Sequence, residues 1–270
     1  MKSTLLLKSF FFLALLACKS PDVVDSVSNP PRKLIWSDEF NKAGLPDSTK
    51  WTYDVGGNGW GNNELQYYTA RRPENARIEN GKLIIEVRKE AYSGKEYTSA
   101  RLITKGKQEW KYGRIEALAK LPAGRGTWPA IWMLGNAVST IGWPRGGEID
   151  IMEHVGFDEG VVHGTVHTEA YNHRKQTQKG QQITVKDATQ AFHLYAVEWT
   201  TDKIDFFVDN QKYYTVTKAD LGSDVAQWPF DQPFYFILNQ AVGGGWGGQK
   251  GVDDTIWPQR MEVEYVRVYQ

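Results

Sequence analysis

The sequence predicts an all-β protein built as a β-sandwich, on three observations. Short runs of apolar and polar residues recur from Leu34 onward, separated by turn residues. Glycine is frequent throughout the chain, which contains 26 of them. No long stretch shows apolar residues at the 3.6-residue period of an α-helix. Many short strands without alternating helices favour two packed antiparallel sheets over a parallel α/β fold.

Each predicted strand begins or ends at a turn signal. The run 82–88, for example, directly follows the turn residues Asn80 and Gly81. The predicted strands are 82–88, 99–104, 113–121, 192–199, 204–208, 213–216, 234–241 and 261–269. The three strands between 192 and 216 are expected to form an antiparallel meander. Residues 187–191 are expected to form one helical turn at most.

The N-terminus predicts export and a lipid anchor. Residues 1–17 combine the positive charges of Lys2 and Lys8 with an apolar run too short for a bilayer span, which takes about 20 residues. Cys18, the only cysteine, follows Leu-Leu-Ala in a pattern similar to the bacterial lipobox. We expect lipidation of Cys18 and attachment to a bacterial membrane, at the outer membrane or cell surface. The alternative is a conventional signal peptide that releases a soluble secreted protein.

Residues 18–32 are predicted to be the lipidated cysteine and a flexible tether, because they contain prolines and serines but few large apolar residues. Residues 33–270 are then one domain, with no internal repeat or change in composition. A lone cysteine has no intrachain disulfide partner, so the fold depends on its own core. We expect a monomer that contacts the membrane only through its anchor.

Charge and aromatic content reduce the number of possible functions. Lys plus Arg and Asp plus Glu both number 32, so the formal net charge is zero. Nucleic acid is not an expected partner, because its binders carry a basic excess. The chain also has 11 Trp and 13 Tyr. Such rings fill protein cores, but their flat faces also stack on sugar rings.

The segment 147–156 carries the strongest chemical signal. Its carboxylates Glu148, Asp150 and Glu153 are interleaved with apolar residues. In an extended strand, residues two apart share a face, so Glu148 and Asp150 point together. Strict alternation would turn Glu153 into the core, where an unpaired charge is very costly. We therefore predict a β-bulge at Ile151-Met152, which returns Glu153 to the face of the other two.

Carboxylates on one sheet face repel each other, so their pKa values separate. One can then stay ionised while another keeps its proton, as glycoside hydrolysis requires. A retaining mechanism needs its two carboxyl groups only about 5 Å apart. The residues alone leave two other interpretations open, namely a solvated strand with alternating charges and a calcium-binding cluster.

A resemblance covers nearly the whole globular part of the chain. The sequence resembles glycoside hydrolase family sixteen, and within it the laminarinases, which are endo-β-1,3-glucanases. The matching segments are 36–40, 60–69, 98–102, 126–135, the acidic motif, 162–167 and 243–248. The resemblance implies a concanavalin A-like jelly roll of two curved antiparallel sheets with a glycan cleft. It implies Glu148 as the nucleophile, Asp150 as the residue that tunes it and Glu153 as the general acid/base.

The resemblance also implies a set of substrate-binding residues. Trp128 and Trp132 share a strand face and are expected beside the scissile bond, and Trp246 stands in a glycine-rich loop. The full expected set is Asn63, Arg101, Trp128, Trp132, Trp143, His167, Gln240 and Trp246. Catalysis needs no cofactor. Members of the family often hold a structural calcium, for which the matching positions are Glu39, Gly81 and Glu264.

Three functions remain open at this point. The first is a retaining endo-β-1,3-glucanase acting on a β-glucan such as laminarin or on mixed β-1,3/1,4-glucan. The second is a hydrolase of a marine galactan such as agar, porphyran or carrageenan. Sulfated galactans call for basic residues near the cleft, and the motif offers only Arg145. The third is a non-catalytic glycan-binding surface protein, which is expected to lack one of the carboxylates.

Overall fold

The computed structural model describes Met1 and residues 32–270. The predicted signal peptide, Cys18 and nearly all of the predicted tether lie outside the described residues. Residues Lys33–Gln270 are one unit made of two β-sheets. The predicted all-β sandwich is therefore confirmed. Within the described part of the chain, no helix has the length and apolar character needed to cross a membrane.

One sheet has ten strands, numbered here along the chain. They are β1 (Leu34–Asp38), β3 (Gln66–Tyr68), β4 (Ala76–Glu79), β5 (Lys82–Tyr92), β6 (Lys95–Ser99), β8 (Gly113–Lys120), β13 (His193–Trp199), β14 (Lys203–Val208), β15 (Gln211–Thr217) and β17 (Gln259–Tyr269). Their order across the sheet is β15-β14-β13-β8-β17-β5-β6-β3, while β1 pairs with β17 and β4 with β5. All pairings are antiparallel except β3 with β6, which is parallel.

The other sheet has seven strands and carries the cleft. They are β2 (Thr52–Asp54), β7 (Arg101–Ile103), β9 (Thr127–Gly135), β10 (Glu148–His154), β11 (Val161–His167), β12 (Lys179–Thr184) and β16 (Phe234–Val242). Their order is β12-β11-β10-β9-β16-β7-β2. Short helices interrupt the loops, namely α1 (Val138–Ile141), α2 (Lys218–Leu221) and a 3₁₀ turn (His173–Lys175).

The predicted meander is confirmed, since β13, β14 and β15 are neighbours in one sheet. Its second turn contains Asp209 and Asn210, both with positive φ, a conformation that short polar residues tolerate. The single strand predicted over 99–104 is wrong. The chain leaves the ten-stranded sheet after Ser99 and enters the seven-stranded sheet at Arg101, so two strands replace one. Residues 187–191 form only a turn.

The core fills the space between the sheets. Its largest fully buried side chains include Trp51, Trp199 and Trp228. Each large apolar side chain removed from water stabilises the fold by about 1.5–3 kcal/mol. Along β8 the alternation is clear, because Ile115 and Ala117 face this core. The intervening residues therefore reach the opposite, outer face of the ten-stranded sheet.

Candidate active site

Strand β10 contains one extra residue relative to its neighbour β9. Asp150 pairs with Trp132, but Met152 pairs with Ile131, so the register slips by one residue between them. Ile151 and Met152 both lie fully buried in the core between the sheets. Two consecutive residues can face the core only where the strand alternation is broken. The predicted bulge at Ile151-Met152 is therefore confirmed.

The bulge places Glu153 on the same sheet face as Glu148 and Asp150. All three carboxyl groups line one cleft on the outer side of the seven-stranded sheet. The remaining lining comes from Trp60, Gly61, Asn62, Glu64, Arg101, Trp128, Ala130, Trp132, Leu134, Trp143, His173, Arg174, Asn239 and Ala241. The cleft thus combines acids with indole rings, the pairing of side chains expected of a sugar site.

Two indole groups hold the two outer carboxylates. The Trp143 ring nitrogen donates to Glu148 Oε2 at 2.9 Å. The Trp128 ring nitrogen donates to Glu153 Oε1 at 3.1 Å. Each acid is thereby fixed at one oxygen, while its second oxygen can serve another partner. A hydrogen bond from a donor to a carboxylate also favours its ionised form.

His167 lies beside the remaining acid. It faces Glu148 across the β10–β11 pair. Its Nε2 atom is 3.3 Å from Asp150 Oδ2 and 3.8 Å from Glu148 Oε1. His167 was expected to bind sugar, but in this structure its nearest polar partners are the two acids. One oxygen or nitrogen atom from each of Glu148, Asp150 and His167 lies within 4.8 Å of the other two, so the three residues form one compact polar cluster.

Burial raises the pKa values of all three acids, and repulsion from neighbouring carboxylates adds to the rise. Burial, followed by the charge of Asp150, raises the pKa of Glu148 to about 8. Burial and the charge of Glu153 hold the pKa of Asp150 well above its usual range. Burial also raises the pKa of Glu153, against the opposing effects of His167 and Trp128. Near neutral pH the cluster therefore keeps protons that exposed carboxyl groups would lose.

Arg101 forms one wall of the cleft. Its guanidinium lies 4.8 Å from the Trp60 ring centroid and 4.7 Å from that of Trp132. Its Nε atom is 2.9 Å from Asp54 Oδ2. Arg101 and Trp132 were both expected in the site, whereas Trp60 was not singled out, although it belongs to a matching segment. The stacked cation fixes the orientation of both rings.

The wall on the Glu153 side contains Trp246, whose ring meets Trp128 edge-on at 5.6 Å. It also meets His163 edge-on at 4.9 Å, so the ring is held by neighbours outside its own glycine-rich loop. His163 lies opposite Glu153 on β11. Asn63 lines the same part of the cleft from an exposed turn, with a positive φ of 58°. The structure thus places Trp246 and Asn63 at the cleft, as expected.

The prediction that Gln240 binds substrate is wrong. Gln240 is fully buried, and its Oε1 accepts a hydrogen bond from the backbone nitrogen of Met261 in the opposite sheet. Its neighbour Asn239 faces the cleft instead, where its Oδ1 accepts from the Trp132 ring nitrogen at 2.7 Å. Adjacent residues of a strand point to opposite faces, so only one of the two can reach the sugar site.

Two cleft residues come from the 3₁₀ turn after β11. The His173 ring lies against Trp143, tilted by 30° with the ring centroids 4.9 Å apart, and the Arg174 guanidinium lies 4.6 Å from the same indole ring. Burial lowers the pKa of His173 to about 4. Neither residue was anticipated, because the loop that carries them has no periodicity or motif that would place it over Trp143. Arg145 is paired with Glu169 at 3.3 Å.

The expected calcium residues show a different partner. Both oxygens of Glu39 accept hydrogen bonds from Arg267, at 3.0 and 2.8 Å. Glu264 lies at a register shift in β17, and Gly81 has a positive φ of 72°. Because the Arg267 guanidinium bonds both oxygens, the Glu39 carboxylate is not available as a calcium ligand. As arranged here, the side chains do not fit a calcium ion.

Carboxyl groups held on one face of a sandwich, beside indole platforms, define a glycoside hydrolase that works through a pair of acids. Residues 63–267 match the model of Glycosyl hydrolases family 16. The chain belongs to this family. Its jelly-roll fold and glycosidase class follow from that membership, and the chemistry of the family needs no catalytic cofactor.

Several known proteins are similar to this chain over most of its length. The β-glucanase of Rhodothermus marinus is 56% identical over 268 residues, which cover 97% of this chain and 93% of that protein. The X-ray structure of the laminarinase from Rhodothermus marinus matches with a TM-score of 0.87 and 58% identity, over 89% of this chain and 98% of that one. A mutant of a non-specific endo-β-1,3(4)-glucanase was co-crystallised with 1,3-β-D-cellotriosyl-glucose and presents 1,3-β-D-cellobiosyl-glucose at its active site. It matches with a TM-score of 0.85 and 52% identity, over 88% of this chain and 95% of that one.

Proposed function

We propose that the protein is a retaining endo-β-1,3-glucanase that hydrolyses β-1,3-glucan or mixed β-1,3/1,4-glucan. The observation that carries the proposal is the bulge in β10, which brings Glu148 and Glu153 to one cleft with an indole donor on each. The three similar proteins described above are named as a β-glucanase, a laminarinase and an endo-β-1,3(4)-glucanase. A glycan-binding protein without catalysis would not need an intact set of acids.

The proposed reaction has two displacement steps. In the first, the ionised Glu148 oxygen bonds to the anomeric carbon, while Glu153 gives its proton to the departing glycosidic oxygen. In the second, Glu153 takes a proton from water, the water oxygen bonds to the anomeric carbon, and Glu148 leaves as a carboxylate. Asp150 lies between the two acids in the strand. A negative charge on Asp150 raises the pKa of Glu148, so the protonation of Asp150 controls when Glu148 is ionised.

The proposed sugar contacts divide into rings and polar groups. Trp128, Trp132, Trp143 and Trp246 present aromatic surface on which the apolar faces of glucose units can stack. Arg101 and Asn63 are proposed to hydrogen-bond to sugar hydroxyls. His167 is proposed to interact mainly with the carboxyl groups of Asp150 and Glu148, because its Nε2 atom lies 3.3 and 3.8 Å from their nearest oxygens.

The proposal is tested by incubating the protein with laminarin, lichenan, agarose and carrageenan and measuring the reducing ends released. Activity on laminarin and lichenan is expected, with β-anomeric products seen first by NMR. Hydrolysis of agarose or carrageenan alone would replace the glucan assignment with a galactan one. Binding to laminarin without any release of reducing ends would instead support the glycan-binding interpretation.

We further propose export with a lipid anchor on Cys18 and a monomeric state. Mass spectrometry of the mature N-terminus checks for a diacylglyceryl cysteine, and light scattering checks the monomer. A bound structural calcium would make EDTA lower the melting temperature and added Ca²⁺ restore it. An unchanged melting temperature is the outcome expected if Arg267 keeps the Glu39 carboxylate.

A further inference from the structure

Glu64 is a fourth carboxylate in the cleft, and the two displacement steps do not use it. The residue is 6% exposed and lines the same cavity as Glu148 and Glu153. Its two oxygens accept hydrogen bonds from three side chains. Asn62 Nδ2 donates to Oε1 at 3.1 Å, while Gln66 Nε2 and Tyr68 OH donate to Oε2 at 2.7 and 3.3 Å.

The Tyr68 bond is the last link of a chain that starts at the cleft wall. The Trp132 ring nitrogen donates to Asn239 Oδ1 at 2.7 Å. Asn239 Nδ2 then donates to Tyr68 OH at 2.9 Å, and Tyr68 in turn donates to Glu64. Every link therefore points toward the Glu64 carboxylate. The hydrogen bonds in such a chain polarise one another, so the final acceptor strengthens every bond in the chain.

This direction depends on Glu64 being ionised. A carboxylate is an acceptor only, whereas a protonated carboxyl group would need to donate at one oxygen. Burial raises the pKa of Glu64, and the hydrogen bonds from Asn62 and Gln66 and the charge of Arg101 offset part of that rise. Three donors thus converge on a charge that the fold has removed from water. Without them, burying this charge would be very costly.

The chain connects two cleft surfaces that are far apart in sequence. At one end, Asn62 lies on the loop 59–64. Its backbone oxygen accepts a hydrogen bond at 2.7 Å from the backbone nitrogen of Gly245, in the Trp246 loop. At the other end, Trp132 lies on β9, opposite Asp150 in the strand register. Glu64 is the residue that both branches share. Its negative charge also acts on Glu153 and raises the pKa of that acid.

We propose that Glu64 is a positioning residue, whose carboxylate fixes Asn62 and, through Tyr68 and Asn239, Trp132 at the sugar beside the scissile bond. This inference rests on the proposed glucanase function. It adds a polar network behind the cleft wall to the pair of reacting acids. The network orients the substrate, and its terminal charge favours the proton that Glu153 must donate.

The test compares Glu64→Gln with wild type on laminarin. Glutamine keeps the size of the side chain but replaces one acceptor oxygen with a donor, so the converging network cannot form. We expect kcat to fall on the order of tenfold to 100-fold with a smaller change in KM, because misplaced groups penalise the transition state most. We also expect the alkaline limb of the kcat/KM pH profile to move to lower pH, since Glu153 loses a neighbouring negative charge.

Two further variants separate positioning from general damage. Tyr68→Phe interrupts the Trp132 branch without changing charge, so kcat is expected to fall while the alkaline limb stays in place. Glu86→Gln removes a carboxylate of similar burial from the ten-stranded sheet, where Arg77 and Arg88 hold it. It is expected to lower the melting temperature and leave both kcat and the pH limb unchanged.

The outcomes distinguish this inference from the proposed function. If wild type releases no reducing ends from laminarin, the glucanase proposal itself fails. If wild type is active and folded Glu64→Gln keeps its kcat and pH limb within error, only the positioning role is overturned. Should Glu64→Gln not fold, Tyr68→Phe decides the matter, because wild-type kcat in that variant would refute the network.

Discussion

The two sheets of this protein both bury carboxylates on their outer faces, but they surround them differently. On the ten-stranded sheet, Glu116 is 5% exposed and its Oε2 lies 2.7 Å from Arg114 Nε. Asp205 is 3% exposed and lies 2.7 Å from Lys203. On the seven-stranded sheet, Asp150 is equally buried at 3%, yet its close partners are a histidine and two further acids.

The difference appears in the pKa values. Burial raises the pKa of Asp205, but hydrogen bonds from Lys203 and Thr215 outweigh it, so the net shift is downward. Burial raises the pKa of Asp150 as well, and the charge of Glu153 adds to the rise instead of opposing it. Burial alone therefore does not decide the protonation state. The presence or absence of a cation decides whether an acid supports the fold or remains able to exchange protons.

The largest effect is expected for Glu148→Ser, which removes the proposed nucleophile. Reducing-end release from laminarin should fall by about 10⁴-fold or more, since removing a covalent nucleophile has effects of this size. Circular dichroism should show an unchanged fold, and laminarin binding by calorimetry should persist. Turnover near the wild-type rate would mean that another group attacks the anomeric carbon.

The next effect is expected for Glu153→Gln, which removes the proton donor but keeps the hydrogen bond with Trp128. The kcat on laminarin should fall about 10²- to 10⁴-fold, the usual contribution of a general acid. An aryl β-glucoside with a good leaving group needs less protonation, so its first step should be affected much less. Equal losses on both substrates would contradict the role of Glu153 as the acid.

Glu116→Gln tests the other side of the comparison. The change leaves Arg114 without its 2.7 Å ion-pair partner, although Glu198 remains 3.2 Å away. We expect a loss of about 1–3 kcal/mol in the free energy of unfolding, because one member of a buried pair becomes poorly compensated. Urea denaturation measures this loss. Activity on laminarin should match wild type, and a tenfold decrease would show that the two faces are coupled.

The smallest effect is a gain in stability from Glu148→Gln that depends on pH. The pKa of Glu148 is raised to about 8 in the fold, so the folded protein keeps a proton that the unfolded chain loses above about pH 4.3. The stability that this proton supplies is complete below that pH and is lost as the pH rises through the folded pKa. A neutral glutamine avoids the loss.

Melting temperatures of Glu148→Gln and wild type should therefore agree near pH 4 and diverge toward pH 9. The variant is expected to gain on the order of 2 kcal/mol at the alkaline end, which corresponds to a few degrees in a domain of this size. If the difference in melting temperature does not vary with pH, the fold does not raise the pKa of Glu148.

The acidic motif shows how far local sequence can reach. Ile149, Ile151 and Met152 are apolar, so the alternation could be satisfied only with a bulge, and the structure contains that bulge. The same alternation predicts that Trp128 and Trp132 share one face of β9. Strand β16 gave no such signal, because all of its residues are buried. Asn239 and Gln240 are therefore indistinguishable by pattern, and only the structure shows that Asn239 lines the cleft while Gln240 is buried.

By itself, the sequence determined the sandwich class and the shared face of the three acids, because both depend on residues close together in the chain. Only the tertiary structure decided which groups meet across the cleft. It also decided the Glu64 network, which joins β3, β16 and β9, and the placement of His173 and Arg174 over Trp143. These arrangements depend on contacts between distant segments, whose free energy no local pattern encodes.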